Sequence, residues 1–235
     1  MKKFLLLGFI LLGLALSDPS NALAAENIST VEKGGVRSLL IVPKNPIASV
    51  ILLAGGDGAL GIGADGSIQK EGNQLVRTRM SYSEHHFAVL VPDAGYKLAD
   101  LVKFMRTIKS PVVVVATSRG TQRVARGINE GAKPDKLVLT SGFLSAESGA
   151  SDNVISIVRD PALIPPVLIV HHRQDHCRMT KPEGVEPFMK WVGKKAKLVW
   201  LDGGRDSGDA CEAESYHGFL GIDQQVVDVV SAFVN

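Results

Sequence analysis

The stretch Pro111 to Ala125, PVVVVATSRGTQRVA, decides how the rest of this chain is read. It opens as a β-branched run, Val112 to Val115, with no polar residue to meet water, the signature of a central strand in a parallel sheet covered on both sides. Within three residues the character changes. Ala116, Thr117, Ser118, Arg119 and Gly120 place small residues two before and two after a serine, and a helical pattern, Thr121, Val124, Ala125 and Ile128, follows at once. The stretch therefore predicts strand, sharp turn and helix pivoting on Ser118. A serine at such a tip adopts a strained backbone conformation, and neighbours with little or no Cβ bulk let strand and helix pass close enough to hold it. The plainer reading is a serine in an ordinary strand-to-helix loop, and the flanking sequence has to choose between them.

Outward from this core the chain alternates strands with helices. Val36–Val42, Ala48–Ala54, Phe87–Val91, Lys136–Thr140, Pro166–His171 and Ala196–Leu201 read as strands. Ile68–Met80, Leu98–Ile108, Val185–Val192 and Phe219–Val234 read as helices. Asn27 to Gly35 is polar and reads as a loose lead-in, which makes Val36–Val42 a candidate edge strand. Gly55 to Gly66 is a glycine-rich loop, and Gly142 to Asp160 has no strong period. The pattern predicts an α/β fold with a doubly wound, mostly parallel sheet and helices on both faces, with no internal repeat and no long linker.

A serine hydroxyl is a poor nucleophile at neutral pH. It needs an imidazole to take its proton and a carboxylate to hold that imidazole in the right tautomer. In open α/β sheets ligands bind beyond the carboxyl ends of the strands. Asp175 ends the segment VLIVHHRQD, a few residues past a buried strand, and His217 lies between the last strand and the last helix. Each alone reads equally as a loop residue. Together, the order Ser118, Asp175, His217 and the turn A-T-S-R-G resemble the α/β-hydrolase superfamily, whose nucleophile elbow is G-x-S-x-G, with Ala116 replacing the first glycine. The resemblance covers about Val36 to Val234.

That resemblance implies a serine hydrolase acting on a small-molecule acyl substrate through an acyl-enzyme on Ser118, with His217 as base and Asp175 orienting it. It implies oxyanion donors from the backbone N–H of Arg119 and of Asp57 or Gly56, where Gly55, Gly56, Asp57 and Gly58 stand in place of the usual His-Gly pair. No cofactor and no metal are implied. About 25 residues separate the strands that begin at Lys136 and Pro166, too few for more than a rudimentary cap, so an open site for short-chain esters is expected. A thioesterase or peptidase would use the same three residues, and a non-catalytic periplasmic binding protein could use the same scaffold.

Two other patterns compete. Gly56, Gly58 and Gly61 spell G-x-G-x-x-G after a strand, but Gly63, Asp65 and Gly66 follow, where the dinucleotide fingerprint needs a helix to open. His171 to His176, HHRQDH, is one substitution from the metallo-hydrolase pattern H-x-H-x-D-H, with Arg173, which cannot ligate zinc, in a histidine's place.

The 235 residues, 45% hydrophobic, are enough for one domain with a substantial core. Lys2 and Lys3, the apolar run Phe4 to Leu16 and the small-residue site Ala22-Leu23-Ala24 predict a signal peptide over residues 1–24, ahead of a single domain over 25–235. The apolar run is short of a membrane span, so no stable membrane insertion is expected after cleavage, and the location is periplasmic or secreted. Without residues 1–24 the net charge falls from +2 to +1, with no run of like charge to engage nucleic acid. Cys177 and Cys211, in an exported chain, read as a disulfide. Oligomeric state has no signature in the sequence.

Overall fold

The computed structural model describes residues 27–235; the expected signal peptide, residues 1–24, lies outside the described residues. The strands are β1 (Asn27–Lys33), β2 (Val36–Val42), β3 (Ala48–Leu53), β4 (Phe87–Pro92), β5 (Val112–Thr117), β6 (Lys136–Thr140), β7 (Val167–His172) and β8 (Ala196–Leu201). The helices are α1 (Gln74–Arg77), α2 (Arg79–Glu84), α3 (Leu98–Ile108), α4 (Arg119–Asn129), α5 (Val154–Val158), α6 (Val185–Val192) and α7 (Asp223–Val234). One sheet holds all eight strands in the order β1-β2-β4-β3-β5-β6-β7-β8. Only β1–β2 and β2–β4 pair antiparallel; β3, β4 and β5 to β8 run parallel.

The apolar run of β5 is central as expected. Every residue from Val112 to Ala116 is fully buried, between β3 on one side and β6 on the other. Two apolar layers cover the sheet. Leu98, Leu101 and Met105 of α3, Val124 and Ile128 of α4, Val154 of α5 and Phe188 of α6 fill one face. Leu75 of α1, Tyr82 of α2 and Val226, Val227 and Val230 of α7 fill the other. This is the α/β-hydrolase fold, doubly wound, with the carboxyl ends of β3, β5, β6 and β7 opening toward one rim.

Three readings are corrected. Asn27 to Lys33 is not a lead-in but the edge strand β1, paired along its whole length with β2, so Val36–Val42 is not an edge. Ile68 to Met80 is not one helix. Ile68 bridges Ile62, and Asn73 caps a short α1 by accepting the N–H of Leu75, with α2 following after Thr78. The last helix begins at Asp223 rather than Phe219, because Phe219 and Gly221 both take positive φ (57° and 83°) and interrupt the helical path.

Candidate active site

Ser118 follows β5 directly and caps α4 with φ 51° and ψ −127°, and its N–H reaches Thr140 O at the end of β6 (3.1 Å). A non-glycine residue there carries about 1–3 kcal/mol of strain, held by the packing of strand against helix. Gly120 shows what the packing demands. A Cβ on it would lie 2.5 Å from Leu53 O and 2.9 Å from Ala54 O, so any side chain would force α4 off the end of β3. Gly55 is also crowded, though less so, its absent Cβ falling 3.0 Å from Ser118 Cβ. Ala116, in the first glycine's place, is fully buried between Leu53 and Leu139, where a methyl group fits.

Asp175 follows β7 in a turn closed by its own N–H to His172 O (3.1 Å), and its side chain is buried. Oδ1 accepts the N–H of Cys177 (2.9 Å), and Oδ2 accepts the Thr180 hydroxyl (3.0 Å). His217 Nδ1 lies 3.0 Å from the same Oδ2 and 3.0 Å from Thr180 Oγ1. With Nδ1–H donating to the carboxylate, Nε2 is left as the free acceptor. The backbone of His217 is set by two serines. Ser215 Oγ accepts its N–H (3.2 Å), and Ser141 Oγ donates to its carbonyl (2.8 Å).

Ser118 and His217 line one cavity of about 570 Å³. Its walls are the loop from Ala54 to Leu60, Lys70 and the turn Gly72–Gln74, Phe143, Met179 and the loop Cys211–Glu214 leading to His217 and Gly218. No hydrogen bond joins Ser118 to His217 among the described residues; in unliganded sites this bond is commonly long and tightens with substrate. Arg119, Gly56 and Asp57, the expected oxyanion donors, line the same cavity. Cys177 and Cys211 form a disulfide on its wall, joining the turn of Asp175 to the loop that leads to His217.

Neither competing pattern assembles as its motif requires. After Gly61 the chain enters the Ile62–Ile68 bridge rather than a helix. His171 and His172, adjacent on β7, project to opposite faces. His171 Nε2 faces Asp175 Oδ2 at 3.4 Å, whereas His172 Nε2 donates to Gly203 O at 2.9 Å and its ring stacks on Tyr216.

Four residues that hold the site had no signal in the sequence pattern. Thr180 braces Asp175. Asp93, just past β4, accepts the N–H of Leu60 (2.8 Å), Ile62 (3.1 Å) and Ala94 (2.9 Å) and so pins the glycine-rich loop. Burial pushes its carboxyl up, but these backbone donors outweigh it and hold it below the usual carboxylate range. Arg77 ties Gly72 O, Gly218 O and the Asp223 carboxylate together beside His217. Arg123 contacts the glycine loop from α4. Beyond the local bonds to Ala94 and Gly72, Asp93, Arg77 and Arg123 reach partners more than 30 residues away, whereas Thr180 stands five residues from Asp175, a spacing that matches no motif.

No protein-family model and no curated protein matches this sequence. Solved structures do match the fold. TT1662 from Thermus thermophilus superposes with TM-score 0.63 at 13% identity, over 90% of this chain and 99% of that one. The esterase domain of a Rhodothermus marinus protein gives 0.63 at 13%, over 89% and 97%. The Pyrococcus furiosus esterase Pf2001 gives 0.61 at 16%, over 94% of each chain. Fold and cavity together define an α/β-hydrolase scaffold that brings a strained serine and a buried Asp–His pair to one opening.

Proposed function

We propose that the chain is an exported serine hydrolase that cleaves a carboxylic ester or related acyl bond through an acyl-enzyme on Ser118. The observation that carries this reading is the buried Asp175–His217 hydrogen bond, which leaves Nε2 free in the cavity that Ser118 also lines. In the first step Ser118 Oγ bonds to the acyl carbon while its proton passes to His217 Nε2, and the carbonyl π electrons move to oxygen. The N–H groups of Arg119 and of Gly56 or Asp57 receive that oxyanion. Collapse breaks the bond to the leaving group, which takes the proton from His217. Water then repeats the sequence on the acyl-serine, with His217 first accepting and then returning a proton, and the carboxylic acid departs. The similarity to structures named as esterases supports this chemistry. The disulfide, and the absence among the described residues of any helix able to cross a membrane, fit an exported destination.

A fluorophosphonate probe tests the reading by labelling Ser118, identified in the modified peptide. Ser118→Ala and His217→Ala are each expected to lower kcat on p-nitrophenyl acetate by at least about 10⁴, since the groups act as a unit. Full hydrolysis by Ser118→Ala, free of contaminating esterase, would sink the mechanism.

A further inference from the structure

Arg123 lies on α4, five residues after Ser118, and its guanidinium reaches back under the glycine loop. Nη1 donates to Gly56 O at 2.9 Å, and Nη2 donates to Ala54 O and to Gly55 O, the latter at 3.3 Å. Three successive carbonyls thus turn toward one cation. Gly55 O also accepts the N–H of Gly58 (3.1 Å), closing a turn in which Gly56 takes φ 55°.

The consequence follows from peptide geometry. In a planar trans peptide the carbonyl of one residue and the N–H of the next point in opposite directions. Holding Gly55 O and Gly56 O against Arg123 therefore turns the N–H groups of Gly56 and Asp57 away from it. Neither N–H has a protein acceptor among the described residues, and neither does that of Arg119, the first residue of α4. All three residues line the cavity.

We propose that Arg123 is the positioning residue of the oxyanion site. Its fork aims the loop N–H groups at the place where negative charge develops, and its positive charge sits directly behind them. The inference rests on the hydrolase reading above and deepens it. Gly58 agrees with it, because a Cβ there would lie 3.0 Å from Arg123 Cζ and 3.0 Å from Nη2, so a side chain would press the guanidinium away from the carbonyls it holds. A lysine could not substitute, since a single ammonium carries the charge but not the planar fork that spans neighbouring carbonyls.

The test compares Arg123→Lys and Arg123→Ala with the wild type in kcat, KM, thermal midpoint and affinity for a trifluoromethyl ketone, which adds to the serine and places an oxyanion in the site. Losing one oxyanion donor typically lowers kcat by about 10²- to 10³-fold. Arg123→Lys is expected to lose about 10²-fold in kcat and a similar factor in ketone affinity, with KM within about threefold of wild type. Guanidinium ion at low millimolar concentration is expected to raise kcat of Arg123→Ala and leave the wild type unchanged. A clamp that serves stability alone would lower the thermal midpoint while kcat and ketone affinity of the folded fraction stayed at wild-type values, and that result would overturn the proposal. If Arg123→Ala does not fold, Arg123→Gln takes its place in the same measurements, and failure of both to fold assigns the residue to stability and also overturns it. Labelling of wild-type Ser118 by the fluorophosphonate in the same preparation separates the two possible failures. A labelled, active wild type with indifferent Arg123 variants rejects the positioning role alone, whereas an unlabelled, inactive wild type rejects the hydrolase reading beneath it.

Discussion

Asp175 sits between two histidines and treats them differently. His217 Nδ1 is at hydrogen-bond distance from Oδ2, while His171 Nε2 stops at 3.4 Å and neither of its ring nitrogens makes a hydrogen bond. Burial pushes the His171 pKa down to about 4, against the opposing pull of the Asp175 carboxylate, and the nearby His217 and His172 push in the same direction as burial. Between that value and the ordinary imidazole value of about 6.5 the unfolded chain binds a proton that the folded chain refuses, so stability rises with pH across this window and is lost as the medium is acidified. We expect the thermal midpoint of the wild type to fall from pH 7 to pH 4.5, and the fall to be shallower in His171→Met, an apolar residue of similar length. Equal slopes in the two proteins would remove His171 as the group responsible. At this scale chain order carries the signal: Ser118, Asp175 and His217 stand out as candidates by their order and by their places after strands. Thr180, Asp93, Arg77 and Arg123 do not, because what they do is decided by carbonyls and carboxylates that the fold brings to them from elsewhere in the chain.

Among the elements, the strands with an apolar run were legible, the β8 edge included, and the β1 edge was not. β1 reads NISTVEK, with Ile28 53% exposed, because an edge strand can be held by backbone pairing without a buried side-chain pattern. The glycine-rich loop escaped for a similar reason. Its course is set by Asp93, by Arg37 donating to Ile62 O and by Thr30 donating to Ala64 O, all contacts invisible to local periodicity. The segment from Ser141 to Pro166 is short, as the sequence indicates, and the structure gives it a definite task. Val154 and Val158 of α5 pack into the layer with α4, and of the whole segment only Phe143 reaches the cavity wall. Nothing in it is positioned as an apolar cover. A chain-length series of p-nitrophenyl esters is therefore expected to favour acyl chains of about two to six carbons, with no jump in rate when substrate forms micelles. Preference for chains beyond about ten carbons, with such a jump, would show that the segment does build a lid.

Across the whole molecule, the carboxylate and the imidazole of the candidate site come from two loops 42 residues apart in the chain, and those loops are joined covalently. Cys177 lies two residues beyond Asp175, and Cys211 six residues before His217. The bond between them closes a loop over a sequence separation of 34, which by chain entropy stabilises the fold by about 3–4 kcal/mol. That effect would follow from a disulfide at any pair of positions the same distance apart. The particular placement adds something further: the N–H of Cys177 donates to Asp175 Oδ1, so the half-cystine is already part of the carboxylate's hydrogen-bonding shell, and both sulfur-bearing residues line the cavity. If the bond holds Asp175 against His217, the double variant Cys177→Ser, Cys211→Ser should show a lower kcat on p-nitrophenyl acetate well below its melting temperature, while circular dichroism still reports a folded protein. If the bond is a staple and nothing more, kcat should match the wild type and only the melting temperature should fall. A titration for free thiols on the denatured, unreduced protein purified from the exported fraction checks the premise, and two free thiols there would mean that neither role operates.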